Sequence, residues 1–187
     1  MQNTNCDLIK YFEKIEICIK NILLRPEKDV LTYDILDTEK TKINKIIALK
    51  EKQRQMKIGE IWQEVLGNYN DCINLKIGHV TGLDIISHAR KFAIELKNRT
   101  NTDNSSSKKA NFDKLATFKK NNPDYKCVYA NINAATEKTT LQGSIKTIIH
   151  NDVEIEIYTG YKFLNFILGD DRNAIIEFVK NTIDKYI

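Results

Sequence analysis

The stretch that decides the fold spans residues 82 to 97: Gly82-Leu83-Asp84-Ile85-Ile86-Ser87-His88-Ala89-Arg90-Lys91-Phe92-Ala93-Ile94-Glu95-Leu96-Lys97. Its second half alternates. In an extended chain Phe92, Ile94 and Leu96 share one side, and Ala93, Glu95 and Lys97 share the other. Residues 82–86 read as a short strand, residues 87–90 as a turn, and residues 91–97 as the returning strand. In that hairpin Ile86 faces Lys91 and Asp84 faces Ala93, so Asp84, Glu95 and Lys97 project from one face. Asp84 and Glu95 are then diagonal neighbours, roughly 7–8 Å apart at the backbone.

Two carboxylates at that separation can converge on one hard cation through oxygen ligands. A cation so held can polarise a phosphodiester and lower the pKa of a bound water. Lys97, one pleat along, is placed to orient or deprotonate that water and to neutralise developing charge. The plainer reading is an exposed strand face carrying a solvated ion pair. Three features favour chemistry. The motif lies on apolar strands, Ala93 is small and leaves room between the acids, and the chain runs on into Asn98-Arg99-Thr100-Asn101 and then a helix N-terminus suited to anions.

Working outward, residues 6–24 place Leu8, Ile9, Phe12, Ile15, Ile19, Ile22 and Leu23 at helical spacing, and Arg25-Pro26-Glu27 ends that helix. It reads equally as a dimer or clamp element and as an ordinary core helix. A second helical pattern covers residues 38–66, with Gly59 a point where it could divide. Downstream, Ser105, Ser106 or Ser107 caps a helix reaching Lys120, and residues 125–132 form a buried strand. Strand, helix and strand in that order imply a parallel pair joined by a right-handed crossover. Residues 145–149 and 153–157 form a hairpin around Asn151-Asp152, and helices over residues 161–168 and 171–186 close the chain.

Composition limits the function classes. With 42% hydrophobic and 29% charged residues the chain is that of an ordinary folded domain. It has no apolar run of membrane-spanning length. The first residues lack the layout of a signal peptide, so a cytoplasmic protein is expected. Cys6, Cys18, Cys72 and Cys127, like His79, His88 and His150, are too dispersed for a zinc site, and the cysteines read as reduced thiols. The net charge of +4 is unevenly spread. Residues 90–120 carry nine Lys/Arg against three Asp/Glu, and residues 38–57 carry seven against two. Such segregation suits a phosphate backbone, although solvated helix faces produce the same pattern.

The spacing and setting of Asp84 and Glu95-Leu96-Lys97 resemble the PD-(D/E)xK nuclease superfamily, with Thr81-Gly82-Leu83-Asp84 replacing the proline-containing half. The longer run from Lys57-Ile58-Gly59-Glu60-Ile61-Trp62-Gln63 to Asn98-Arg99-Thr100-Asn101-Thr102, continuing through Asn111-Phe112-Asp113-Lys114-Leu115 to Phe178-Val179-Lys180-Asn181, is similar to type II restriction endonucleases that cleave GGNCC-like sites. The likeness covers residues 57–187, which divides the chain into an N-terminal helical region, 1–56, and a nuclease core, 57–187.

The resemblance implies an α/β fold, a restriction-endonuclease-like mixed sheet flanked by helices. It also implies a homodimer acting on double-stranded DNA, Mg²⁺, and cleavage to 5′-phosphate ends. Asp84, Glu95 and the Leu96 carbonyl would hold the metal and Lys97 would assist the water. Glu60 is expected to add a carboxylate, with Glu64 its rival and Gln63 a weaker support. Arg99, Asn101, Asn104, Ser106, Lys108 and Lys109 are candidate DNA contacts, more of them to phosphate than to bases. The hairpin of residues 146–158 is a second possible reading element, and Trp62 and the tyrosines read as core. The alternatives are a repair or recombination nuclease that reads DNA structure, and a DNA-binding module with a silent site.

Overall fold

Apolar spacing at the start of the chain builds α1 (Thr4–Leu23), which buries Ile15, Ile19 and Ile22. The computed structural model describes residues 4–27, 29–76, 78–99, 104–133 and 141–187. Thr38 caps α2 (Glu39–Gly67) by accepting a hydrogen bond from the Thr41 N–H. This helix runs 29 residues without a break, so Gly59 does not divide it. A glycine inside a helix costs about 1 kcal/mol relative to alanine. Packing of Ile58, Ile61 and Trp62 into the core holds the helix straight through that position.

The sheet has six strands in the order β1-β2-β3-β4-β6-β5. These are β1 (Ile73–Asn74), β2 (Ile85–Ser87), β3 (Phe92–Arg99), β4 (Lys126–Asn133), β5 (Ile145–His150) and β6 (Val153–Thr159). β1, at two residues, is too short to show a period and was not legible in the sequence. The centre is parallel, β3 with β4 and β4 with β6, and both margins are antiparallel. Helix α3 (Ser105–Asn121) links β3 to β4, as the strand–helix–strand reading expects. Its cap is Asn104, whose side chain accepts from the Ser107 N–H, and the serines occupy the first turn. The β5–β6 turn places Asn151 at φ 50° and Asp152 at φ 64°, the positive values a two-residue hairpin loop demands. Helices α4 (Gly160–Leu168) and α5 (Arg172–Tyr186) close the chain, joined by a single 3₁₀ turn.

Each face of the sheet has its own core. On one, α1, α2, α4 and α5 bury Ile15, Ile19, Ile61, Val65, Phe163 and Ile175 against Phe92, Ile94 and Val128. On the other, Phe112, Leu115 and Ala116 of α3 cover Ala93, Cys127, Tyr129 and Ile155. Helix α1 is therefore core. The Tyr11 hydroxyl donates to the Val65 carbonyl at 2.7 Å, and Phe12 stacks on Phe178 with ring centres 4.2 Å apart. Cys18, Cys72 and Cys127 are free thiols.

Candidate active site

The hairpin register sets the site. Ser87 pairs with Phe92, Ile86 with Ala93 and Ile85 with Ile94. The turn is thus His88 to Lys91, of the expected length but one residue later, and Asp84 does not face Ala93. Its N–H donates to the Ile94 carbonyl at 3.0 Å, so Asp84 lies across from the Ile94–Glu95 step.

Asp84 Oδ2 accepts from the Leu96 N–H at 2.7 Å, which fixes the carboxylate against the strand that carries Glu95. Glu95 is only 3% exposed. Its Oε1 accepts from the Lys97 ammonium at 2.8 Å, while its Oε2 is buried with no hydrogen-bond partner among the described residues. An acceptor in that state is costly unless a ligand completes it. Lys114 Nζ of α3 stands 4.0 Å from Oε2.

The electrostatics fit this placement. Burial raises the Asp84 carboxyl above its ordinary range, against the Leu96 N–H and the charges of Lys97 and Lys114, which favour ionisation. Glu95 is raised as well, first by burial and then by the charge of Asp84, with Lys97 and Lys114 opposing. A buried and a half-buried acid that each resist ionisation beside the other form a site able to take up positive charge. Their donors are hard oxygens and one of them is orphaned, so the residues fit a divalent cation of the magnesium type. No group of three or more His, Cys, Asp or Glu side chains is assembled for a metal among the described residues, so further ligands would be backbone oxygen or water.

Among the other expected residues, Glu60 is not part of this cluster. Its carboxylate is paired with Arg25, just beyond α1. Glu64 is paired with Lys76 and hydrogen-bonded to Asn68. The reason lies in the layering, because α2 buries its apolar side in the core opposite α3. Gln63 does reach towards the site, since its amide donates to Asn74 Oδ1 at 3.2 Å and to the Leu75 carbonyl at 3.4 Å. Leu75 in turn donates its N–H to the Asp84 carbonyl at 2.8 Å.

Of the expected DNA contacts, those among the described residues lie at the end of β3 and the start of α3. Arg99, at the end of β3, is 3.4 Å from Glu51 of α2. Asn104 and Ser106 are hydrogen-bonded to each other at the start of α3, and Lys108 and Lys109 are exposed on its first two turns. Asn101 lies outside the described residues. The hairpin β5–β6 sits at the far margin of the sheet from β1.

Three nearby residues escaped the sequence reading. Lys114 approaches from α3, and Asn111, one turn earlier and 6% exposed, accepts from its ammonium at 3.2 Å. Asn131 pairs with Lys97 in the β3–β4 register and is 5% exposed, with an Oδ1 that lacks a partner among the described residues. Helical spacing of Asn111 and Lys114 was visible in the sequence, but nothing there indicated which face of α3 lies over the hairpin.

No helix among the described residues is long and apolar enough to cross a membrane. No curated protein sequence matches the chain. A family model does, that of the Eco47II restriction endonuclease, over residues 7–187, so the match takes in α1 and the first half of α2 as well as the sheet. The chain belongs to the Eco47II restriction endonuclease family, and is accordingly a nuclease with DNA as its substrate.

Proposed function

We propose that the protein is a magnesium-dependent type II restriction endonuclease that cuts double-stranded DNA at a GGNCC-like site as a homodimer. The observation that carries this reading is the pairing of half-buried Asp84 with buried Glu95, with Lys97 on Glu95 Oε1 and no hydrogen-bond donor on Oε2 among the described residues. Asp84, Glu95 and the Leu96 carbonyl would hold the metal. When bound, Mg²⁺ would supply Lewis-acid polarisation of the scissile phosphate and a more acidic water.

The chain's own residues supply position and charge. The Leu96 N–H keeps the Asp84 carboxylate turned to the strand. Lys97 is tethered by Glu95 and orients the attacking water. Its ammonium also offsets negative charge that grows on the phosphate. Attack forms a new P–O bond and breaks the bond to O3′, leaving a 5′-phosphate. One proton of the water ends on the 3′ oxygen. Arg99, Lys108 and Lys109 are exposed cations at the same end of β3 and α3, suited to phosphates that flank the cut. A second copy supplies the second cut, and twofold symmetry accounts for a palindromic site.

The test is digestion of a plasmid in Mg²⁺ followed by sequencing of the ends. Discrete fragments with 5′-phosphates are expected. Glu95→Gln should abolish cutting while leaving DNA binding in Ca²⁺ intact. Smears, junction-dependent cuts or an undiminished Glu95→Gln enzyme would refute the reading.

A further inference from the structure

Lys114 is a cation near the acidic pair that comes from neither strand of the hairpin. Its Nζ stands 4.0 Å from Glu95 Oε2, a buried carboxylate oxygen with no hydrogen bond among the described residues. That is too long for a hydrogen bond but close enough for a strong electrostatic effect. The side chain is guided there. A Cβ added at Gly82 would lie 3.3 Å from Lys114 Cδ and Cε, so the bare glycine, at φ 63°, leaves the lane along which the lysine runs. Asn111 accepts from the ammonium at 3.2 Å and holds the other flank. The end of the chain remains reachable, since the Lys114 side chain is 41% exposed against 4% for Glu95. A cation exposed on one side and facing an orphaned acid on the other can serve two anions in turn.

Resting on the active-site reading above, we propose that Lys114 is a second catalytic cation. In the metal-free protein it neutralises the Glu95 side of the acid pair. With metal and DNA in place it gives its charge to a non-bridging oxygen of the scissile phosphate. The flexible four-carbon stem allows the exchange without movement of the backbone. Lys114 thereby competes with the metal for Glu95 and assists the reaction that needs the metal.

The two roles predict effects of opposite sign. Lys114→Met should bind Mn²⁺, titrated calorimetrically without DNA, about fivefold more tightly or better, because one positive charge about 4 Å from a ligand oxygen has gone. The same variant should cut DNA in single turnover roughly 100-fold more slowly, as expected for loss of one charge-stabilising donor. Lys114→Arg keeps the charge and should recover much of the rate. Unchanged or weaker Mn²⁺ binding by Lys114→Met would overturn the competition. Unchanged cleavage would overturn the catalytic role, and a slow Lys114→Arg with intact folding would show that shape matters, not charge. Glu95→Gln, run alongside, separates failure of the parent reading. If the wild type binds no Mn²⁺, or Glu95→Gln cuts normally, the site itself is misassigned and the Lys114 proposal falls with it.

Discussion

Replacing Gly67 with alanine tests whether the site is positioned from outside. Gly67 is the last residue of α2, and a Cβ there would lie 2.7 Å from Asn74 Cβ and 2.8 Å from Asn74 Cα. Ordinary contact begins near 3.4 Å, so β1 must retreat by roughly 0.7 Å or more for the methyl to fit. The next residue after β1, Leu75, donates to the Asp84 carbonyl at 2.8 Å, so that retreat pulls on the backbone that aims Asp84. Two terms oppose in stability. Alanine in place of a helical glycine gains up to about 1 kcal/mol. Forcing a methyl into a filled contact costs about 1–3 kcal/mol. The clash should win by about 1 kcal/mol, a fall of roughly 2–4 °C in Tm for a chain of this size. Catalysis should suffer more, because a displacement of about 1 Å at a reacting group can cost roughly 100-fold. The assay is single-turnover cleavage in saturating Mg²⁺ beside thermal unfolding of the same sample. A Gly67→Ala enzyme that is as stable as the wild type and cuts as fast would refute the idea that the α2–β1 contact holds Asp84.

Other consequences follow from the same geometry. Asp84 and Glu95 have raised carboxyl pKa values, so the folded protein binds protons more readily than the unfolded chain, and their contribution to stability is present at low pH and lost as pH rises through the raised values. In chelator, the advantage of the wild type over Glu95→Gln should therefore shrink as pH rises from about 4 towards neutrality, read by thermal unfolding; a constant difference would count against the buried pair. Ile19→Ala, at a position with no exposure, should cost about 2–5 kcal/mol in chemical denaturation, whereas a detachable N-terminal helix would show almost no loss. Arg90 donates to the Ile167 carbonyl at 3.0 Å, contacts Cys72 Sγ at 2.9 Å and pairs with Asp71 at 2.9 Å. Arg90→Ala should lower stability by about 1–3 kcal/mol in a urea titration, and an unchanged midpoint would remove this tie between the β2–β3 hairpin and α4.

The parts legible in the sequence were those where one period governs one segment. Alternation in residues 92–97 gave β3 and put Glu95 and Lys97 on a common side, and the Asn151-Asp152 pair gave the β5–β6 turn. What stayed hidden depended on contacts between segments. The one-residue displacement of the hairpin turn is fixed by Ser87, which is fully buried, donates to Asp71 and accepts from the Arg90 N–H at 3.0 Å. The Ser87–Asp71 contact spans 16 residues, and no local pattern announces it. The placement of Glu60, paired with Arg25 instead of beside Asp84 and Glu95, was hidden for a similar reason. A helix before the hairpin can present carboxylates to either layer, and only the packing of Ile61, Val65 and Leu66 against Phe92 and Ile94 shows that α2 belongs to the layer away from α3. Lys114 and Asn131 are the converse case, ordinary polar residues in the sequence that matter because a helix and a neighbouring strand bring them over Glu95 and beside Lys97.

This division explains why the site holds its charge in an awkward state. Buried acids are usually paired or neutralised, and a buried oxygen without a donor is rare in a folded protein. Glu95 keeps one oxygen satisfied by Lys97 and leaves the other for an incoming group. Had Lys114 approached to hydrogen-bond distance, the pair would be a closed salt-bridge network, stable and inert. Had it been absent, two carboxylates would face each other with too little positive charge to keep both ionised. At 4.0 Å it weakens the repulsion without closing the site, as the metal-binding role proposed for the pair requires.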